Sequence, residues 1–262
     1  MNIASGSSGN ATYIGSGSTH ILIDAGLSRK RIQEGLSGAG ISLKDITAIL
    51  ITHEHIDHIA ALGVIERGRE IPIYATAGTW EGIKNTRSLG QFNEEVFNEI
   101  SCDQDFTIGD LTVRALSTWH DAKEPCCFRI SDGKKSLAVV TDLGGCDEYL
   151  TGNLMGLSGI LIEANHDVRM LEVGPYPYPL KKRIAGRTGH LSNEACGRLL
   201  SALLHDGMES ITLGHLSHEN NMPELALVTV ENEIENSPSP YGKGDFEIKV
   251  AHRDLCSELE EI

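Results

Sequence analysis

Aromatic residues are scarce in this 262-residue chain, five per cent of the total, so its core must be built from aliphatic side chains. The six cysteines, Cys102, Cys126, Cys127, Cys146, Cys196 and Cys256, form no Cys-x-x-Cys pair, which argues against a structural zinc finger. A chain of this length buries a large core without disulfides, and a cytoplasmic protein with reduced thiols is the expectation. No apolar run approaches the roughly 20 residues of a membrane span. The N-terminus lacks the basic-then-apolar pattern of a secretory signal. Positive charge is also in deficit: 22 Lys and Arg against 37 Asp and Glu give a formal charge of −15. That balance excludes broad, non-specific nucleic-acid binding, but not a nuclease whose local positive charge comes from bound cations. There is no linker-like shift in composition, and one domain over residues 1–262 is expected.

What the chain does have is short aliphatic runs ending in polar, ligand-type residues. Strands are expected at Ala11–Ser16, His20–Asp24, Ile46–Ile51, Ile71–Tyr74, Phe92–Ile100, Asp105–Ile108, Leu111–Leu116, Cys126–Ser131, Lys135–Thr141, Gly159–Ala164, Ser210–Leu213 and Asp245–Val250. Helices are expected at Ser28–Ala39, Ile59–Glu66, Ala77–Leu89, Asn193–His205 behind an N-cap at Ser192, and Pro223–Glu235. A helix begun at Asp167–Leu171 is stopped by Gly174-Pro175-Tyr176-Pro177-Tyr178-Pro179. The tail Cys256–Ile262 is acidic and expected to be poorly ordered. Strands in both halves with helices between them fit two sheets sandwiched by helices.

The densest chemistry is Thr52-His53-Glu54-His55-Ile56-Asp57-His58, which follows the apolar run Ile49-Leu50-Ile51. Residues two apart in an extended segment point the same way, so His53 and His55 can share one cation. Asp57 and His58 fall where the chain turns into a helix and can address a second position. The residue four after His53 is Asp57, so this is not the His-Glu-x-x-His zinc helix. Further ligand types stand at expected strand ends: Asp24 after Ile21-Leu22-Ile23, His120 after Leu116–Trp119, Asp142 after Val139-Val140-Thr141, and His215 after Ile211–Gly214.

In that order, these residues resemble the motifs of the metallo-β-lactamase fold superfamily, over almost the whole chain. The resemblance implies a four-layer αββα sandwich of the α/β class with a dinuclear site at the strand ends. It implies one metal on His53, His55 and His120, a second on Asp57, His58 and His215, and Asp142 bridging both, with Asp24 supporting from behind. Two divalent ions are implied; the mixed His and Asp set suits zinc or manganese, with iron a third fit.

The second half points to a branch of the family. Leu161-Ile162-Glu163-Ala164 and Gly189-His190-Leu191-Ser192 resemble the strand and loop of transfer-RNA 3′-processing phosphodiesterases, whose Glu–His pair assists the leaving group. Transferred to Glu163 and His190, the carboxylate orients an imidazole that protonates a departing sugar oxygen. Between them lies Tyr176–Arg187, which contains Lys181, Lys182, Arg183 and Arg187 and no acid. They are expected to contact phosphates or, equally, to form a solvated loop face, with Tyr176 and Tyr178 available for stacking. Ser8 and Asn10 in a small-residue turn, and Ser192 at a helix start, are further expected phosphate contacts. Taken whole, the chain resembles the YycJ-like group of 5′-to-3′ DNA exonucleases with repair-type roles. A DNA partner with a 5′ end and no membrane partner are thus expected. Two alternatives stay open within this fold: an RNA-processing nuclease, and a hydrolase of small esters, thioesters or cyclic phosphodiesters. A binding module with a vestigial site is a reading from outside enzymology, and the intact ligand set argues against it.

Overall fold

The aliphatic runs become buried strands in a computed structural model that describes residues 1–91 and 93–262. Among the described residues, two mixed β-sheets, of six and seven strands, are accompanied by helices. The chain divides into two compact units, the first made of Met1–Ser117, Ala122–Gly133 and His252–Glu261, the second of Thr118–Asp121, Lys134–Ala251 and Ile262.

The first unit opens with β1 (Asn2–Ala4), β2 (Ala11–Gly15), β3 (His20–Ile23) and helix α1 (Arg29–Gly38). Next come β4 (Ala48–Leu50), α2 (Ile56–Ile59), α3 (Leu62–Glu66), β5 (Ile73–Thr76), α4 (Ala77–Asn85) and β6 (Phe97–Ile100). Strands β1 to β3 pair antiparallel, and β3 to β6 run parallel in sequence order. The unit also carries the antiparallel set β7 (Asp105–Ile108), β8 (Leu111–Ser117) and β9 (Cys126–Ser131). Helix α1 starts where Ser28 accepts a bond from the Arg31 N–H, and its i, i+4 pair Ile32 and Leu36 is buried. These two join Leu22, Ile49, Ile73 and Ile83 in one aliphatic core. Full burial of each such side chain stabilises by about 1.5–3 kcal/mol.

The second unit holds β10 (Ser136–Val140), α5 (Glu148–Asn153), β11 (Gly159–Glu163), α6 (Val168–Val173), α7 (Tyr178–Ile184), α8 (Asn193–Leu203), β12 (Ser210–Gly214), α9 (Pro223–Glu235) and β13 (Ile248–Val250). Its four strands are parallel in sequence order. Every residue of β11 is buried, as expected of an inner parallel strand covered on both faces. Helix α8 begins at the Ser192 cap and buries Cys196, Leu199, Leu200 and Leu203. It packs on α9, whose buried positions are Ala226, Val230 and Ile234.

Several expectations are corrected. The helix expected over Ile59–Glu66 is two short ones, α2 and α3, beginning three residues earlier. The carbonyls of Asp57 and His58, which a continuous helix would use internally, accept instead from the Asn10 and Ala25 N–H groups. The basic stretch read as a loop contains α7. Pro177 precedes it and Pro179 sits in its first turn, where a missing N–H is harmless. Of the strand expected over Phe92–Ile100, only Phe97–Ile100 is extended; Glu94–Val96 is a 3₁₀ turn, and Phe92 lies outside the described residues. Helix α5 has no counterpart among the expected elements. In the acidic tail, the Ser257 N–H bonds the Asn2 carbonyl, and its hydroxyl accepts from the Asn2 N–H.

Candidate metal and catalytic site

In the first unit, β4 delivers Thr52 and His53, both 1 % exposed, and α2 carries Asp57 and His58 in its single turn. His53 Nε2 and His55 Nδ1 lie 3.0 Å apart, the convergence expected of alternate residues in extended chain. The His58 ring stands 4.1 Å from that of His53. Behind them, Asp24 Oδ2 accepts from His58 Nδ1 at 2.8 Å. Its Oδ1 accepts from the Thr52 N–H at 2.9 Å. This fixes the His58 tautomer and turns Nε2 outward as an acceptor. Asn10 is 5 % exposed. Its amide nitrogen lies 2.9 Å from that Nε2, and its carbonyl oxygen accepts from the Gly6 N–H. The side chain therefore meets His58 and its own loop, while Ser8 is exposed. Gly26 is required here: a Cβ on it would come 1.6 Å from the Asp57 carbonyl oxygen.

In the second unit, parallel pairing explains why residues distant in sequence meet. Val140 pairs with Ile162, and Glu163 with Gly214. Asp142, Glu163 and His215 thus emerge together at the carboxyl ends of three neighbouring strands, where α/β sheets place their sites. Asp142, Glu163, His190 and His215 each offer a ligand atom, all within 4.8 Å of one another. His215 Nδ1 is 3.0 Å from Asp142 Oδ2. His120 Nε2 is 3.6 Å from Asp142 Oδ1, its Nδ1 having bonded the Gly189 carbonyl. Glu163 is fully buried; its Oε1 binds His190 Nδ1 at 2.8 Å, and its Oε2 accepts from the Leu143 and Leu191 N–H groups.

Charge follows from this packing. Burial opposes protonation of His190, but the Glu163 carboxylate and its hydrogen bond, helped by Asp142, outweigh it and raise the pKa to about 9. Burial likewise opposes protonation of His215, and Asp142 overcomes it, so its pKa is raised. For His120 burial prevails and the pKa is lowered. A buried carboxylate surrounded by imidazoles is tolerated when it is paired or coordinates metal. The donor set, imidazole and carboxylate oxygen, fits divalent cations.

The backbone carries a mark of its own. Four non-glycine residues have left-handed φ among the described residues, and three of them are Asp24 (61°), Asp142 (56°) and His215 (55°). The conformation costs an L-residue roughly 1–2 kcal/mol, and such strain concentrates at functional positions.

The basic stretch is more engaged than its charge implies. Arg183 forms a two-pronged pair with Asp121. Arg187 stacks 3.6 Å over Trp119, and Lys181 bonds the Glu172 carbonyl. Lys182 is exposed, as is Tyr178 at 77 %. Ser192 accepts from the Ala195 N–H, capping α8.

Sequence reasoning gave no role to Asn165, Asn193 and Asn221. The Asn165 amide bonds the His215 carbonyl at 2.9 Å. Asn221 bonds the Ala164 and Asn165 carbonyls and the Asn193 side chain. These amides tie together the loops bearing Glu163, His190 and His215. Their signal was closeness in sequence: Asn165 follows Glu163 by two residues, Asn193 follows His190 by three and Asn221 follows His215 by six.

Comparison with known proteins agrees with this geometry. The family model described as "Beta-lactamase superfamily domain" matches residues 19–209. The exodeoxyribonuclease WalJ of Streptococcus pneumoniae is 37 % identical over 260 residues, covering 99 % of this chain and 96 % of the relative. The exodeoxyribonuclease YycJ of Bacillus anthracis is 36 % identical over 268 residues, covering 99 % and 97 %. A ribonuclease Z of Methanopyrus kandleri is 28 % identical over 108 residues, or 39 % of this chain and 37 % of the relative. Among solved structures, zinc-bound PqqB of Methylobacterium extorquens superposes with a TM-score of 0.70 at 18 % identity, covering 98 % of this chain and 99 % of that one.

Proposed function

The chain belongs to the β-lactamase superfamily, in its αββα fold, and is a metal-dependent phosphodiesterase of the exonuclease kind; on that premise we propose that it removes nucleotides from DNA, starting at a 5′ end. DNA is favoured over RNA because the relatives named for deoxyribonuclease activity align along 99 % of the chain, the ribonuclease Z along 39 %. In this reading His53, His55 and His120 would hold one divalent ion and Asp57, His58 and His215 a second, Asp142 would supply carboxylate oxygen to the pair, and zinc or manganese would be the native metal. When bound, such ions supply Lewis-acid polarisation of the phosphoryl group and make water nucleophilic near neutral pH.

The chain's own residues do the rest. Asp57 orients the attacking water and accepts its proton. Water oxygen joins phosphorus as the bond to the 3′ oxygen breaks. His190, held through Nδ1 by Glu163, gives the departing oxygen a proton from Nε2. Lys182 and Arg187 contact backbone phosphates, and Lys181, Arg183, Ser8, Asn10 and Ser192 are secondary candidates for such contacts. The six free cysteines suit a reducing cytoplasm. Among the described residues, no helix is long and apolar enough to cross a membrane.

The observation that carries this reading is the 2.8 Å Glu163–His190 bond beside Asp142. It is tested by product analysis on 5′-phosphorylated and 5′-hydroxyl DNA and RNA with manganese or zinc. Mononucleotides from DNA are expected. Asp57→Ala and His190→Ala should each lower turnover at least a hundredfold. Full turnover by His190→Ala would remove the leaving-group role, and hydrolysis of small esters without nucleotide release would move the protein to the small-molecule branch.

A further inference from the structure

Beside His190, the second unit holds a half-open cavity of about 450 Å³ whose wall includes His166. His166 is 3 % exposed, and its Nδ1 is buried without a hydrogen-bond partner among the described residues. A buried polar atom left unmet is costly, and a bound ligand that meets it recovers that cost. The main chain around it is clamped. The His166 carbonyl accepts from the Asn193 N–H, the Asn165 N–H reaches the Leu191 carbonyl, and the Asp167 N–H reaches the Asn220 carbonyl, each at 2.9 Å. The imidazole is therefore held at the cavity wall by a rigid frame, with hydrogen-bonding capacity that the protein leaves unused.

Position in the reaction selects the ligand. His190 serves the departing 3′ oxygen, and in a cut one nucleotide from a 5′ end that oxygen belongs to the terminal nucleotide. The terminal nucleotide must then lie on the His190 side of the scissile bond, where this cavity is. We propose that the cavity seats the 5′-terminal nucleotide of the substrate, a nucleoside monophosphate, with the His166 imidazole bonding its phosphate and Val168 and Leu199 giving apolar surface to the sugar and base. The assignment rests on the nuclease reading above. The volume lies near the low end of ordinary ligand pockets, roughly 300–1,000 Å³, which suits a single nucleotide.

The test uses the metal-loaded, full-length protein titrated calorimetrically with deoxyadenosine 5′-monophosphate, deoxyadenosine and inorganic phosphate. The wild type should bind the nucleotide at least tenfold more tightly than either fragment. Ala195→Phe, which fills the cavity, and His166→Ala should each weaken nucleotide binding at least fivefold with unchanged circular dichroism. Ala202→Phe, at an exposed position on the same wall, gives the same loss should Ala195→Phe fail to fold. Nucleotide affinity within twofold of wild type in folded, filled variants overturns the proposal. So does no nucleotide binding by the wild type, or equal affinity for a fragment. A parallel digestion of 5′-phosphorylated DNA separates the two failures. No nucleotide release by the wild type sinks the nuclease reading. Release of mononucleotides, together with unchanged binding in filled variants, sinks the cavity assignment alone.

Discussion

His190 shows how its neighbours set both the charge of a side chain and its contribution to stability. Its pKa rises from 6.5 to about 9 because Glu163 and Asp142 outweigh the penalty of burial. A folded-state pKa above the unfolded one stabilises the fold fully below 6.5, and the contribution is lost as pH rises through about 9. Chelated wild type should therefore lose its stability advantage over His190→Gln between about pH 6 and about pH 10 in urea titrations. A constant difference would mean that the pair is not charged. The left-handed residues make a second prediction at this scale. Removing the imidazole at 215 should abolish activity in either form, but His215→Gly should be about 1 kcal/mol more stable than His215→Ala, because alanine retains the Cβ strain. Equal melting of the two would refute the strain.

At the scale of elements, the histidine cluster depends on backbone meeting backbone. The Asp24–Gly26 loop, the start of β2 and the α2 turn are joined by bonds from Asn10 to the Asp57 carbonyl and from Ala25 to the His58 carbonyl. Gly26→Ala forces a Cβ into that junction and should destabilise by about 1–3 kcal/mol or more, with loss of metal binding, read by denaturation and metal analysis. The same junction shows what could be read from sequence and what could not. His53 and His55 were legible as a pair because alternation is local, and Ser192 and Pro223 as helix starts because capping is local. The meeting of Asp142, Glu163 and His215 followed from strand-end position plus family likeness. The division of α2 from α3 was illegible, because its cause is Asn10 and Ala25, more than thirty residues upstream. Helix α7 was hidden by prolines that stop one helix and open the next. The asparagine ties were hidden because an amide announces no partner.

For the molecule as a whole, ligand-held charge should appear as heat resistance. Adding manganese or zinc to chelated protein at a hundred times its dissociation constant contributes about 2.7 kcal/mol. For a chain this long that corresponds to a rise in melting temperature of roughly 5–10 °C. Scanning calorimetry should find the rise in wild type and lose it in Asp142→Ala. An equal rise in that variant would place metal elsewhere. The left-handed trio at 24, 142 and 215 carries a wider consequence for anyone engineering this protein. Glycine at those three positions would relax the backbone, yet it would discard the carboxylates and imidazole they present and leave the buried Thr52 N–H without its Asp24 acceptor. A library meant to harden the enzyme must therefore freeze those codons, or screen survivors for turnover before counting them as improved.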